Sequence, residues 1–157
     1  MIYSKSVVVC VSYIVMKLKG ALALYRLRAT IAGVGRSSRC ALSTEIKCPE
    51  NVAIGDYVAI GPACTIGGYG GVILEDYVRV SKGVTIESAS LDVEGELPYT
   101  HVSKPVHIKN GAWLGARCII LGGVTVGEQA VIGAGAIISK NVPDKAVVVA
   151  QPVRKIK

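Results

Sequence analysis

The sequence is poor in the residues that most often form base-stacking surfaces and metal centres. It contains no Phe, one Trp and only two His. Two histidines are too few for a zinc ion held by three of them, and no pair of cysteines has the CxxC spacing of a metal site. The formal net charge of +7 suits an anionic partner. Without an aromatic platform, however, we do not expect nucleic-acid binding, and the His count and Cys spacing argue against a bound metal.

The chain also lacks a long apolar run. Residues 7–16 form the longest candidate, which is too short to span a bilayer. A cleavable signal stays open as an alternative, because Lys5 precedes this run and Ala21-Leu22-Ala23 resembles a cleavage site. The preferred interpretation is an amphipathic helix over residues 12–27, whose apolar positions at helical spacing are Ile14, Leu18, Ala21, Leu22 and Tyr25.

Basic residues surround this predicted helix, namely Lys17, Lys19, Arg26 and Arg28. Such a helix packs its apolar side on the domain or lies on an anionic membrane surface, and we favour packing. A peripheral membrane contact stays open. We assign residues 1–35 to this N-terminal helical segment.

Apolar residues, mostly small or β-branched, recur every six positions through the rest of the chain. Two registers, two positions apart, are apolar in every repeat, as expected for short strands that show alternate side chains to a core. One register contains Leu42, Cys48, Ile54, Ile60, Ile66, Leu74, Val80, Ile86, Ile108, Leu114, Ile120, Val126, Ile132 and Ile138. The other contains Cys40, Ile46, Val52, Val58, Cys64, Val72, Val78, Val84, Val106, Ala112, Cys118, Val124, Ala130 and Ala136.

Three such strands close one coil, and stacked coils bury a central column of side chains. The pattern predicts an all-β domain over residues 36–157, a parallel β-helix preceded by the helical segment. It resembles the left-handed hexapeptide-repeat family, and the left hand is implied by that resemblance, since general crossover rules favour the other. Four cysteines fall on the two registers, so we interpret them as small core residues in a reducing, cytoplasmic compartment: Cys40, Cys48, Cys64 and Cys118.

Residues 89–104 interrupt the repeat as one long excursion loop, and long excursions from a compact repeat are usually functional. Residues 104–157, which include the run GAWLGARCIILGGVTVGEQAVIGAGAIISKNVPDKAVVV, resemble the C-terminal half of galactoside, maltose and surface-polysaccharide O-acetyltransferases. The resemblance implies a homotrimer that binds acetyl-CoA in a groove between subunits. It also implies a His on the excursion that removes a proton from a sugar hydroxyl.

Three positions depart from that family. Leu91, which cannot accept a proton, occupies the position of the expected His. Gly61 and Tyr69 stand where the family has Asn and Asp near the acceptor. The usual chemistry therefore needs a substitute base, and His101, also on the excursion, is our candidate for the catalytic residue.

Other candidates for the base are weaker. His107 lies between two inward residues and must point outward, so we expect it to contact solvent or another subunit. Asp92 and Glu94 are on the excursion, but a carboxylate with an ordinary pKa is a poor base for an alcohol.

A second set of residues matches positions at which the family contacts CoA: Trp113, Ala116, Ala134, Ser139, Lys140, Arg154 and Lys157. Small residues keep the groove wall low for the pantetheine arm, and the basic ones supply charge for the phosphates. The resemblance thus implies an acetyl-CoA-dependent O-acetyltransferase acting on a sugar or glycan, such as a surface-polysaccharide precursor. The alternative is a degenerate homologue that binds CoA or a partner without turnover. The carbonic-anhydrase branch of this fold needs three His and is disfavoured.

Overall fold

The computed structural model describes residues 5–31 and 33–150. One long helix is followed by short strands and by a single turn of 3-10 helix at Pro49–Asn51. In chain order the helix and strands are α1 (Lys5–Thr30), β1 (Gly33–Val34), β2 (Arg39–Cys40), β3 (Glu45–Lys47), β4 (Val52–Ile54), β5 (Ala59–Ile60), β6 (Thr65–Gly67), β7 (Val72–Leu74), β8 (Arg79–Val80), β9 (Thr85–Glu87), β10 (Ala89–Leu91), β11 (His101–Ser103), β12 (Val106–Ile108), β13 (Trp113–Leu114), β14 (Ile119–Leu121), β15 (Thr125–Val126), β16 (Val131–Ile132), β17 (Ile137–Ile138) and β18 (Val147–Val148).

The strands stack in parallel into three sheets, which form the sides of a triangular coil. Face 1 consists of β1, β4, β7, β12 and β15; face 2 of β2, β5, β8, β13, β16 and β18; and face 3 of β3, β6, β9, β14 and β17. In the regular coils a residue pairs with the one 18 positions later, as Trp113 does with Val131, so that three six-residue repeats make one coil. The predicted parallel β-helix is confirmed.

Both predicted registers form the core from Val52 onward. Every register member between Val52 and Ile138 is buried, and together they form one apolar cluster. Cys64 and Cys118 are among them, and burial raises the pKa of the Cys118 thiol to about 11. The two cysteines behave as the small core residues that the sequence predicts.

In the first coil the predicted registers are right for Cys40 and Ile46, which pack against the core, and wrong for Leu42 and Cys48. Cys40 pairs with Ile60 and Ile46 with Ile66, each 20 positions apart, because the 3-10 turn at Pro49–Asn51 lengthens this corner. The inward positions are therefore shifted by two. Cys48 does not enter the core and is only partly buried, with a left-handed φ of 48° just before that turn. Leu42 is likewise only partly buried.

The shift places two hydroxyl side chains inside the first coil. Ser38 and Thr44 are 4% and 1% exposed. Ser38 Oγ donates to the carbonyl of Gly55 at 2.6 Å and accepts from the N–H of Val58, while Thr44 Oγ1 donates to the carbonyl of Gly61 at 2.7 Å. Because each hydroxyl is hydrogen-bonded to the next coil, its burial carries no unpaired polar group.

The helix closes the open end of the column through its C-terminal half. Ala23, Leu27 and Ile31, spaced four apart, are buried against the first coil. The Arg26 guanidinium donates to the carbonyls of Leu42 at 3.0 Å and Thr44 at 2.7 Å, which have no coil above them. The terminal coil of a repeat array needs a cap that buries its apolar core and keeps a polar outer side. The C-terminal half of α1 provides such a cap.

The apolar face predicted for packing is wrong. Leu18, Leu22 and Tyr25 are 64%, 58% and 73% exposed, and Ala21 is exposed as well. The side chain of Ile14 lies outside the described residues. The cause is geometric: only the end of α1 reaches the first coil, and the face that meets it is the one carrying Leu27.

The boundary between helix and coil lies earlier than expected. β1, at Gly33–Val34, already pairs with β4, so the stacked coils begin before residue 36. Within the described residues, α1 does not combine the length and apolar character that crossing a membrane requires.

Candidate active site

The excursion loop is a hairpin that leaves the corner between faces 3 and 1. Its two strands, β10 and β11, are antiparallel, with Ala89 opposite Ser103 and Leu91 opposite His101. Backbone N–H groups of Lys104 and Asp92 donate to the carbonyls of Ser88 and Thr100, each at 2.9 Å. In an antiparallel hairpin, hydrogen-bonded pairs alternate with pairs that share no hydrogen bond. Leu91 and His101 are a pair of the second kind, in which the Cα atoms are about 4.5 Å apart.

This pairing brings His101 beside the position where the family resemblance expects a histidine. Side chains of directly opposite residues share one side of a hairpin, so the imidazole of His101 lies next to Leu91. The ring of Tyr69 lies on the same side, its centroid 6.4 Å from that of His101 with the planes tilted by 47°. His101 is exposed and Leu91 is 44% exposed, so solvent and an acceptor can reach the imidazole.

The carboxylate candidates occupy a different part of the hairpin. Neighbouring residues of a strand point to opposite sides, so Asp92 faces away from Leu91 and His101. Its Oδ1 accepts the backbone N–H of Glu94 at 3.2 Å, which stabilises the turn. Asp92 is thus placed as a turn residue.

His107 points outward on face 1, as predicted. Its Nε2 lies 2.6 Å from Oε1 of Glu75, and the other oxygen of Glu75 accepts the backbone N–H of Asn110 at 2.8 Å. This pair joins neighbouring strands of face 1. The two histidines have different partners, Glu75 for His107 and Tyr69 for His101.

Ala116 and Ala134 stack one coil apart at the corner between faces 2 and 3. Both are exposed, and the N–H of Gly135 donates to the carbonyl of Ala116 at 2.9 Å. A Cβ added to the preceding Gly115 would clash with the carbonyl oxygen of Ile132, so the coils are closely packed at this corner. The two alanines leave the backbone of the corner open to an extended ligand.

The other described members of the predicted CoA set lie on either side of face 3. Trp113 is on face 2, 52% exposed, and its Nε1 donates to Oγ of Ser81 at 3.0 Å. Ser139 and Lys140 are exposed at the corner between faces 3 and 1, which is the corner that carries the hairpin. Arg154 and Lys157 lie outside the described residues.

Within one chain, therefore, the candidate base and the alanine corner are separated by the width of face 3. Gly61 lies with the alanine corner, where it lines a cleft shared with Trp113. Sequence reasoning missed two residues of that cleft, Arg39 and Arg79. Both occupy the outward position just before a core residue of face 2, and that register could have identified them.

No group of three or more metal-ligating side chains comes together among residues 5–31 and 33–150. The thiols of Cys40, Cys48, Cys64 and Cys118 are free.

Comparisons with known proteins agree with this fold. Residues 105–140 match the family described as bacterial transferase hexapeptide (six repeats). The chain is 35% identical over 83 residues to a galactoside O-acetyltransferase of Lactococcus lactis, covering 52% of this chain and 40% of the relative. It is 35% identical over 88 residues to the galactoside O-acetyltransferase of Escherichia coli, covering 55% and 43%. The chain thus spans less than half the length of these two relatives.

Solved structures extend the likeness over most of the chain. A maltose O-acetyltransferase of Clostridium difficile superposes with a TM-score of 0.74 at 27% identity, covering 83% of this chain and 71% of that one. A hexapeptide-repeat acetyltransferase of Vibrio cholerae, complexed with acetyl coenzyme A, gives 0.77 at 22% identity over 87% and 76%. The resemblance found in the sequence is confirmed: residues 105–140 match the bacterial transferase hexapeptide repeat, and the chain is similar to acetyltransferases.

Proposed function

We propose that the protein transfers an acetyl group from acetyl-CoA to a hydroxyl of a sugar acceptor. The observation that carries this proposal is the pairing of His101 with Leu91, because it supplies an imidazole beside the position from which the family histidine is missing. The relatives are galactoside and maltose O-acetyltransferases, and a structural neighbour binds acetyl-CoA, which supports both the donor and the class of acceptor.

In the proposed reaction acetyl-CoA supplies the activated acetyl group. Neutral His101 accepts the proton of the attacking hydroxyl, which makes an otherwise weak nucleophile reactive, and then holds that proton for the departing sulfur. Ala116 and Ala134 leave backbone accessible to the pantetheine arm. Lys140, together with Arg154 and Lys157, supplies positive charge for the phosphates of the donor.

We further propose that the site forms between subunits of a homotrimer. The hairpin and the alanine corner lie on different corners of one coil, so the base of one subunit meets the donor groove only if a second copy presents its own corner. Analytical ultracentrifugation at the assay concentration measures the oligomeric state. A fully active protein that sediments as a monomer would contradict this arrangement.

The function is tested by release of CoA from acetyl-CoA in the presence of a panel of neutral and anionic sugars. We expect turnover with some acceptors and background hydrolysis without them. Binding of CoA without turnover of any acceptor would instead support the degenerate homologue, for which the loss of the family histidine at Leu91 is the specific argument. Mass spectrometry of the product distinguishes transfer to sugar from hydrolysis.

The exposed side of α1 supports a peripheral membrane contact on the cytoplasmic side. Val15, Leu18, Leu22 and Tyr25 are exposed at helical spacing, and α1 contains no acidic residue. An apolar stripe with basic neighbours is the pattern that binds anionic lipid surfaces. The free thiols of the described cysteines favour a reducing compartment.

We expect the protein to sediment with vesicles containing anionic lipid and not with neutral ones. The double substitution Leu18→Glu and Leu22→Glu should abolish sedimentation, because it removes the apolar stripe and adds repulsion from the lipid. Leu97→Glu is the matched control, since Leu97 is 78% exposed on the hairpin. Equal sedimentation of the double variant and the control would refute the contact.

A further inference from the structure

A cleft of about 630 Å³ opens on face 2 beside the alanine corner. Gly20 of α1 forms its upper rim, and Ala59 and Ile60 form its floor. Ser81 and Trp113 lie at its lower end. The volume is in the range of small-molecule sites.

The strand register places two arginines in this cleft on either side of a small residue. Arg39 pairs with Ala59, Ala59 with Arg79, and Arg79 with Trp113. Neighbouring strands are about 4.8 Å apart, so the two arginines start about 10 Å apart with only a methyl group between them. The gap is wide enough for an oxyanion to reach both guanidinium groups.

The charges of the cleft are not neutralised within the described chain. Its lining includes both arginines and no acidic residue. No ion pair forms at either guanidinium in residues 5–31 and 33–150, and Arg79 makes one long hydrogen bond, to the carbonyl of Tyr57 at 3.5 Å. Two arginines that face a cleft without a carboxylate retain donors for an external anion.

Arg36, which lies in the same coil as Arg39, shows the contrast. Arg36 lies outside the cleft and forms an ion pair with Asp56, in which its Nε and Nη2 donate to Oδ2 at 2.9 and 2.7 Å. Its backbone N–H also donates to Asp56, and these hydrogen bonds lower the pKa of that carboxyl. Pairing of arginines with carboxylates is thus available in this part of the fold but is not used in the cleft.

The indole of Trp113 gives the cleft a flat apolar wall. The hydrogen bond from Nε1 to Ser81 fixes the ring, and the side chain is half exposed. The apolar face of a pyranose ring packs on such a surface, while a charged group on the ring would point to the arginines. Gly61, in the same lining, offers no side chain to a neutral hydroxyl.

We propose that this cleft selects an anionic acceptor: a sugar that carries a carboxylate or phosphate, with its ring on Trp113 and its oxyanion between Arg39 and Arg79. Trp113 then contacts the acceptor and not CoA, which is the contact that the sequence resemblance implies for it. The role of the cleft as an acceptor site rests on the proposed acetyl transfer, but the sugar can bind there without acetyl-CoA. The cleft adjoins the alanine corner, so a sugar held there lies beside the proposed donor groove.

Trp113 is the only Trp of the chain and reports on the cleft directly. The full chain is titrated with glucuronate, glucose 6-phosphate, glucose and inorganic phosphate while tryptophan fluorescence is followed. We expect saturable changes with one or both anionic sugars, and at least about tenfold weaker binding of glucose and of phosphate alone. The two anionic arms distinguish carboxylate from phosphate.

Arg39→Gln and Arg79→Gln should each weaken binding of the anionic sugar by about 10- to 100-fold. Arg36→Gln is the matched control and should leave it unchanged, and circular dichroism checks the fold of each variant. The proposal would be overturned if neither glucuronate nor glucose 6-phosphate bound more tightly than glucose, or if phosphate alone bound as tightly as the preferred anionic sugar. Binding of the anionic sugar without acetyl transfer would support the cleft and contradict the proposed function. Acetyl transfer to neutral sugars alone, with no binding of the anionic sugars, would support the proposed function and contradict the role of the cleft.

Discussion

Replacing His101 with Ala is expected to lower kcat for acetyl transfer by about 10²- to 10⁴-fold, the usual contribution of a positioned general base. The affinity for acetyl-CoA should change little, because His101 is proposed to accept the proton of the hydroxyl, whereas acetyl-CoA is proposed to bind at the alanine corner. Steady-state kinetics of CoA release, with direct titration of CoA to the variant, separate these two effects.

The second histidine provides a matched control. His107→Ala removes an imidazole that is paired with Glu75 on face 1 and should retain activity within about threefold, since a surface pair contributes little. Asp92→Asn should also remain active. A loss of activity in His107→Ala, with His101→Ala unaffected, would show that the assignment of the base is wrong.

Leu91 allows the geometric argument to be tested separately. Because Leu91 and His101 are opposite each other in the hairpin, the combined variant Leu91→His with His101→Ala moves the imidazole across the strand pair. We expect it to recover part of the lost rate. Recovery would show that an imidazole on this side of the hairpin is what the reaction needs, whereas a general disruption of the loop would not be reversed by it.

The repeat in the sequence predicts the stacked coils well, because burial of two side chains in each six constrains every strand of the three faces from β4 to β17, the hairpin strands β10 and β11 excepted. It fails where local geometry adds residues. The turn at Pro49–Asn51 shifts the inward positions by two, and the apolar Leu42 and Cys48 conceal the shift. Ser38 and Thr44 could not be recognised as inward, since their burial depends on hydrogen bonds to the next coil.

The site is less predictable than the coils because it depends on pairings that have no period. Periodicity identifies residues 89–104 as an excursion but does not show that the excursion folds back with Leu91 opposite His101. Outward positions are also chemically free, so Arg39 and Arg79 look like ordinary surface charges until the register brings them into one cleft. The packing side of α1 was missed for a similar reason. Which side of the helix is buried depends on its contact with the first coil, and the period of the helix alone does not show that contact.

The largest stability effect is expected at the centre of the column. Ile120 is fully buried on face 3, between Ile86 and Ile138 on the adjacent strands. Ile120→Ala should lower the free energy of unfolding by about 2–5 kcal/mol, because the removed atoms leave a cavity in a closely packed core. Urea denaturation followed by circular dichroism measures the change, and Ile120→Val, at about 0.5–1.5 kcal/mol, gives a milder variant that still folds.

The matched control for this substitution is Ile137→Ala, which removes the same atoms from a side chain on the next strand of face 3 that is 66% exposed. We expect a cost of no more than about 0.5 kcal/mol there. Similar costs for the two variants would contradict the inward assignment of the register. In a stacked array each coil is stabilised by its neighbours, so a cavity at Ile120 weakens contacts toward both the hairpin coil and the alanine corner. Activity should therefore fall at lower urea concentrations in Ile120→Ala than in Ile137→Ala, and ahead of global unfolding.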